Sequence, residues 1–74
     1  MIDINKILYE ICEDENVFND DFDLIDSGLL DSYAFISLFS KLEDNGIVIY
    51  PTRIDRERLR TPKLIKLLVK EYKK

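Results

Sequence analysis

Ser32 offers the clearest chemistry in this chain of 74 residues. It follows Gly28-Leu29-Leu30-Asp31 and stands where a helical pattern begins. Either Asp31 or the Ser32 hydroxyl could simply cap that helix, because aspartate and serine are both favoured N-cap residues. The hydroxyl could instead carry a phosphate ester, because a helix N-terminus presents free N–H groups and the positive end of the helix dipole. Spacing alone favours the plain cap.

Other reactive groups are few. The chain has no histidine, so it lacks the usual general base and the commonest metal ligand. Its one cysteine, Cys12, cannot form an internal disulfide and lies on an apolar stripe typical of a core residue. The segment from Asp20 to Asp26 faintly resembles a calcium loop but lacks the required glycine and glutamate. We therefore expect no metal site, and a chain this short leaves little room for an enzyme's cleft.

Three amphipathic patterns predict three main helices. Asp3 is the expected N-cap of the first, Thr61 of the last, and Gly46 is placed to end the second in a left-handed conformation. The predicted bounds are about Ile4 to Glu13, Ser32 to Asn45, and Pro62 to Tyr72. Packing these helices together predicts an all-α fold in a single domain that spans residues 1–74.

The helical stripes predict which side chains are buried. They are Ile4, Ile7, Leu8, Ile11 and Cys12 in the first helix; Phe35, Leu38, Phe39 and Leu42 in the second; and Leu64, Ile65, Leu68, Val69 and Tyr72 in the last. This assignment leaves Tyr33 and Ile36 beside Ser32 but off the core stripe. They would either form a docking surface for a partner or cover the long loop.

The connections between the helices differ in character. We expect the acidic segment from Asp14 to Asp31 to be an ordered loop, because it contains many apolar side chains and long connections are often functional. The β-branched run from Ile47 to Tyr50 has no obvious strand partner, so we expect an extended connector that ends at Pro51. A short helical turn is predicted at about Asp55 to Leu59.

Charge is unevenly distributed along the chain. Residues 1–37 contain ten acids and one base, whereas residues 38–74 contain five acids and ten bases. This asymmetry could steer partners electrostatically or could be two solvated surfaces. A basic cluster is formed by Arg53, Arg56, Arg58, Arg60, Lys63, Lys66, Lys70, Lys73 and Lys74. The overall acidity and the lack of a recognition-helix pattern argue against a nucleic-acid partner.

The chain carries no pattern that directs it into or across a membrane. Its first residues lack the charged-then-apolar arrangement of a signal peptide. No apolar run approaches the roughly 20 residues that a membrane-spanning helix requires. We therefore expect a cytoplasmic protein that is not integral to a membrane.

The segment Gly28-Leu29-Leu30-Asp31-Ser32 resembles the phosphopantetheine attachment motif of acyl carrier proteins. The order of helices and loops is similar to theirs over nearly the whole chain. Within that superfamily the sequence most resembles the D-alanyl carrier proteins of teichoic acid D-alanylation. The matching motifs are Leu29-Leu30-Asp31-Ser32-Tyr33, Ile47-Val48-Ile49-Tyr50-Pro51, Ile54-Asp55-Arg56 and Thr61-Pro62.

The resemblance implies an acyl-carrier-like helical bundle and a carrier that is not itself an enzyme. Ser32 would bear a covalent 4'-phosphopantetheine, taken from coenzyme A, that holds a D-alanyl thioester destined for (lipo)teichoic acid. The implied partners are a phosphopantetheinyl transferase, a D-alanine-activating (adenylating) ligase and a membrane acyltransferase. The predicted partner-binding residues are Asp31, Tyr33, Ile36 and Ile54, and we expect a monomer.

Two alternatives stay open at this point. One is a stand-alone carrier for another acyl or amino acid, in a fatty-acid, polyketide or non-ribosomal peptide pathway. The segment between Pro51 and Pro62 is shorter and richer in arginine than the resemblance predicts. This departure leaves the identity of the cargo open but does not affect the carrier role. The other alternative is a helical interaction module without a prosthetic group, in which Ser32 is only a cap.

Overall fold

The computed structural model describes residues 3–72, which form three α-helices and three short 3-10 helices. The α-helices are α1 (Ile4–Cys12), α2 (Ser32–Asp44) and α3 (Pro62–Tyr72), and the 3-10 helices are η1 (Glu15–Phe18), η2 (Pro51–Arg53) and η3 (Arg56–Leu59). No β-strand occurs in residues 3–72. The predicted all-α, acyl-carrier-like bundle with a long first loop is therefore confirmed.

The predicted caps account for the beginnings of α1 and α3. The Asp3 carboxylate accepts a hydrogen bond from the Lys6 backbone N–H at 3.1 Å. The Thr61 hydroxyl accepts one from the Leu64 N–H at 3.2 Å, in front of a proline at the first helical position. α1 ends one residue earlier than predicted, because Glu13 adopts a left-handed conformation with φ 53°.

Gly46 ends α2 as its position in the sequence predicts. Its φ of 83° lies in the left-handed region, which glycine reaches without a steric penalty. The Gly46 N–H donates to Glu43 O at 2.9 Å, and the Ile47 N–H donates to Leu42 O at 2.9 Å. This pair of bonds is a Schellman motif, which satisfies carbonyl groups that the helix end would otherwise leave unpaired.

One hydrophobic core fills the space between the helices, and α1 packs against both α2 and α3. The buried side chains are Ile4, Ile7, Leu8, Val17, Leu24, Leu30, Ala34, Leu38, Phe39, Leu42, Ile47, Ile49, Leu59, Ile65, Leu68 and Val69. Ile11 and Cys12 are half-buried against this cluster.

Two predicted core positions are wrong, and a third is only partly buried. Phe35 is half-buried against the core cluster, whereas its neighbour Ala34, which the stripe does not include, is buried within it. Leu64 and Tyr72 are exposed at the edges of the α3 stripe. Periodicity identifies a stripe about one side of a helix, but neighbouring elements determine which edge of that stripe is covered.

The long loop between α1 and α2 is ordered, as predicted. Val17, Leu24 and Leu30 are buried in the core. The Leu24 N–H donates to Arg60 O at 2.6 Å, and the Leu30 N–H donates to Leu24 O at 2.9 Å. The first bond attaches the loop to the segment between η3 and α3, the second closes the loop on itself, and the buried side chains anchor it in the core.

Ion pairs join the acidic first half of the chain to the basic second half. The Arg60 guanidinium lies 2.7 Å from the Asp23 carboxylate and 3.3 Å from that of Asp26. Lys66 Nζ donates to Asp20 at 2.9 Å. The pKa of Asp23 is lowered, first by the hydrogen bond from the Asp26 backbone N–H and also by Arg60. Part of the charge asymmetry is therefore neutralised within the molecule.

Residues 47–50 form the extended connector that the sequence predicts. Ile47 and Ile49 are buried, whereas Val48 and Tyr50 are exposed. The predicted short turn is present as η3, and Asp55 caps it by accepting from the Glu57 N–H at 3.0 Å. η2 was not predicted. Lys73 and Lys74 of the basic cluster lie outside the described residues. No helix in the described part of the chain is long and apolar enough to cross a membrane.

Candidate functional site

Ser32 is the exposed first residue of α2. The cap of this helix is Asp31, whose carboxylate accepts a hydrogen bond from the Ala34 N–H at 2.8 Å. Asp31 O also accepts the first backbone bond of the helix, from the Phe35 N–H at 2.9 Å. The sequence left open whether Asp31 or Ser32 caps α2. The structure assigns this task to Asp31, so the Ser32 hydroxyl is not needed for it.

The segment before Ser32 is held in place from the core side. Leu30 is buried, and Leu29 is half-buried with its carbonyl accepting from Cys12 Sγ at 3.4 Å. Burial is the main factor that raises the pKa of Cys12, followed by the negative charges of Asp31 and Asp14. A thiol with a raised pKa is a weak nucleophile at neutral pH. Cys12 thus supports the loop rather than offering reactive chemistry.

An open groove of about 310 Å³ begins at Ser32 and lies between α2 and the segment around η3. The side chains that line it are Ser32, Phe35, Ile36, Phe39, Ile54, Arg56 and Leu59. The α2 members follow an i, i+3, i+4, i+7 spacing, so they lie on one face of the helix. The groove has a volume at the lower end of the range of about 300–1,000 Å³ that is typical of small-molecule sites.

Arg56 forms the polar part of this mostly apolar groove. Its guanidinium carbon lies 4.8 Å from the centroid of the Phe35 ring, within the range of a cation–π interaction. Phe35 in turn stacks with Phe39, with ring centroids 6.4 Å apart. The two aromatic rings therefore hold a positive charge in the wall of the groove that opens at Ser32.

Of the four residues predicted to bind partners, Ile36 and Ile54 line the groove, whereas Asp31 and Tyr33 do not. Tyr33 and Ile36 are 77% and 68% exposed, so they do not cover the long loop. Ile36 and the half-buried Ile54 lie together in the groove, whereas Tyr33 is not among its lining residues. Asp31 is exposed and its carboxylate is used in the cap.

Sequence reasoning missed four of the groove residues. The sequence pattern places Phe35, Phe39 and Leu59 in the core or in a turn, and Arg56 in a general basic cluster. The signal that could have identified the α2 members is the helical spacing that starts at Ser32 itself. No sequence signal pairs Arg56 with Phe35, because 21 positions separate them and only the folded chain brings them together.

Comparison with known proteins identifies several relatives. The chain is 39% identical over 68 residues to the D-alanyl carrier protein of Abiotrophia defectiva, covering 89% of this chain and 86% of that protein. It is 40% identical over 62 residues to the D-alanyl carrier protein of Listeria monocytogenes, covering 81% and 80%. The D-alanyl carrier protein of Bacillus subtilis is 32% identical over 73 residues, covering 96% and 94%. No protein-family model matches the chain.

These similarities extend over most of both chains, and the predicted helical order is present in the structure. The all-α fold is the one expected of a carrier protein, and each of these relatives is a D-alanyl carrier protein. The chain belongs to the D-alanyl carrier protein family.

Proposed function

We propose that this protein carries an activated D-alanyl group for the D-alanylation of (lipo)teichoic acid, on a 4'-phosphopantetheine arm joined to Ser32 Oγ. It would act as a single carrier domain in the cytoplasm, with no catalysis of its own. The observation that carries the proposal is the state of Ser32, which is exposed at the start of α2 while Asp31 supplies the cap. Its hydroxyl can be esterified without loss of the cap.

The residues around Ser32 fit such an arm. A phosphodiester on Ser32 would lie at the N-terminus of α2, where free N–H groups and the helix dipole favour negative charge. The adjoining groove offers apolar walls from Phe35, Ile36 and Ile54. When bound, the arm supplies a thiol that holds an acyl group as a thioester.

The chain's own residues would present the arm and its load. Leu30 and Asp31 hold the first turn of α2 in place from the core side and from the cap. Tyr33 and Ile36 place exposed apolar surface next to Ser32, and Ile54 extends it across the groove. We propose that the transferase, the adenylating ligase and the membrane acyltransferase contact this surface in turn, since exposed apolar patches mark interaction sites and tyrosine is enriched among the residues that carry binding energy.

Intact mass after incubation with coenzyme A and a phosphopantetheinyl transferase tests the attachment. We expect a gain of one phosphopantetheine in the unaltered protein and none in Ser32→Ala. Ser40→Ala is the matched control, because Ser40 is an exposed serine on the same helix and should leave the gain intact. A gain that persists in Ser32→Ala, or no gain at all, would contradict the proposal.

The cargo is tested by offering the modified protein to adenylating ligases with a panel of D- and L-amino acids and fatty acids. We expect loading with D-alanine. Loading with a fatty acid but not with D-alanine would defeat this part of the proposal.

The partner surface is tested by Tyr33→Ala and Ile36→Ala in the same loading reaction. Removing an interface anchor costs more than about 1 kcal/mol, so we expect loading efficiency to fall by roughly fivefold or more. Val48→Ala is the control, because Val48 is exposed but lies in the connector away from Ser32. Equal loading of all three variants would remove Tyr33 and Ile36 from the partner surface.

A further inference from the structure

The arginines near η3 differ in what they contact. Arg60 pairs with Asp23, Asp26 and Glu57, and Arg58 pairs with Glu71. Arg56 takes part in none of the ion pairs found among residues 3–72. Its guanidinium instead lies on the Phe35 ring, in the groove that Ser32 also lines. A cation is thus held in the groove that Ser32 lines, and no carboxylate of the described residues forms an ion pair with it.

We propose that Arg56 is the counter-charge for the phosphodiester on Ser32 and directs the arm along the Phe35 side of the groove. This inference rests on the proposed attachment at Ser32. A phosphodiester carries one negative charge and several strong acceptor oxygens. The guanidinium is always charged and matches phosphate with two parallel hydrogen bonds, which makes arginine the better partner for it than lysine.

Two features of the structure favour this use of Arg56. The guanidinium lies over the Phe35 ring and takes part in none of the side-chain hydrogen bonds or ion pairs found among residues 3–72, so its N–H groups remain available to an anion. The Phe35 ring also restricts the side chain before the arm is attached, which lowers the conformational entropy lost when the ion pair forms. Neither feature would be expected of an arginine that served only as solvated surface.

Unfolding equilibria of the unmodified and modified protein measure the interaction. An exposed ion pair contributes about 0.2–1 kcal/mol, which is roughly a 1.5- to 5-fold change in an equilibrium constant. Attachment of the arm should lower the unfolding equilibrium constant of the unaltered protein. The same attachment should lower the constant of Arg56→Gln by less, and the two reductions should differ by about this factor. The difference should shrink in about 1 M salt, which screens exposed charges. Arg53→Gln is the matched control, because Arg53 is exposed but does not line the groove.

NMR of the unaltered protein gives a second, independent readout. Attachment of the arm should shift the Arg56 Nε–Hε resonance and leave that of Arg53 in place. Intact mass must first show that every variant carries the arm. Equal stabilisation of the unaltered protein and Arg56→Gln, or an Arg56 resonance that does not move, would overturn the inference while leaving attachment at Ser32 intact. Absence of the mass gain would overturn the attachment itself, and this inference with it.

Discussion

Replacing Asp31 separates its capping role in α2 from any role in recognition. Asp31→Ala removes the acceptor for the Ala34 N–H, a bond of 2.8 Å. Loss of such a cap costs about 1 kcal/mol, within a range of about 0.5–2. Loss of the negative charge near the helix N-terminus adds about 0.3–1 kcal/mol at low salt. Asp31→Asn keeps an acceptor in the same place, so it should lose only the charge contribution.

Urea unfolding of both variants checks this ordering. With a slope near 1 kcal/mol per M for a small domain, Asp31→Ala should lower the midpoint by about 1–2 M and Asp31→Asn by clearly less. A domain of this size has a total stability of about 4–11 kcal/mol, so both variants should remain folded enough for arm loading to be assayed. Equal losses of stability in the two variants would refute the assignment of Asp31 as the cap.

Loading then distinguishes the cap from a recognition residue. If Asp31 acts only through the helix, Asp31→Asn should accept the arm at nearly the rate of the unaltered protein. A stable Asp31→Asn variant that is not loaded would show that the transferase requires the carboxylate itself.

Four further outcomes are expected. Leu24→Ala should cost about 3–5 kcal/mol in urea unfolding, because Leu24 is fully buried in the loop; a loss below about 1 kcal/mol would show that the loop is not part of the core. The pKa of Asp23 is lowered in the folded protein, first by the Asp26 backbone N–H and also by Arg60. The Asp23 carboxylate therefore stabilises the folded protein above its unfolded pKa near 4, and this contribution is lost as the pH falls through the lowered folded value. Arg60→Gln should therefore weaken the dependence of unfolding on pH in the acid range, and unchanged slopes would contradict this. Gly46→Ala should lower the free energy of unfolding by about 1–2 kcal/mol in the same assay. The added Cβ meets open space, so the loss comes only from holding alanine at a left-handed φ of +83°, and a neutral result would argue against that conformation. Alkylation of Cys12 at neutral pH should be much slower in the folded than in the unfolded protein, because burial raises its pKa; equal rates would place the thiol at the surface.

The sequence by itself determined, to within one residue, where the three α-helices begin and end. Asp3 and Thr61 cap their helices, and Gly46 ends α2, because each effect depends on residues within one turn of the chain. The order of all the α-helices and the position of Ser32 at the start of α2 follow from the same local patterns. Family resemblance could be read from motifs for the same reason, since short segments carry them.

The tertiary structure alone decided how these parts face one another. Ala34 is buried in the core whereas Phe35 is only half-buried against it, because the elements packed against α2 determine which edge of its apolar stripe is covered. Because Phe35 is not fully buried, its ring lies in the wall of the groove, where Arg56, which is distant in the sequence, contacts it. Contacts between residues far apart in the chain depend on the packing of whole elements, and the period of a single helix carries no information about them. The groove beside Ser32 is therefore a property of the folded chain.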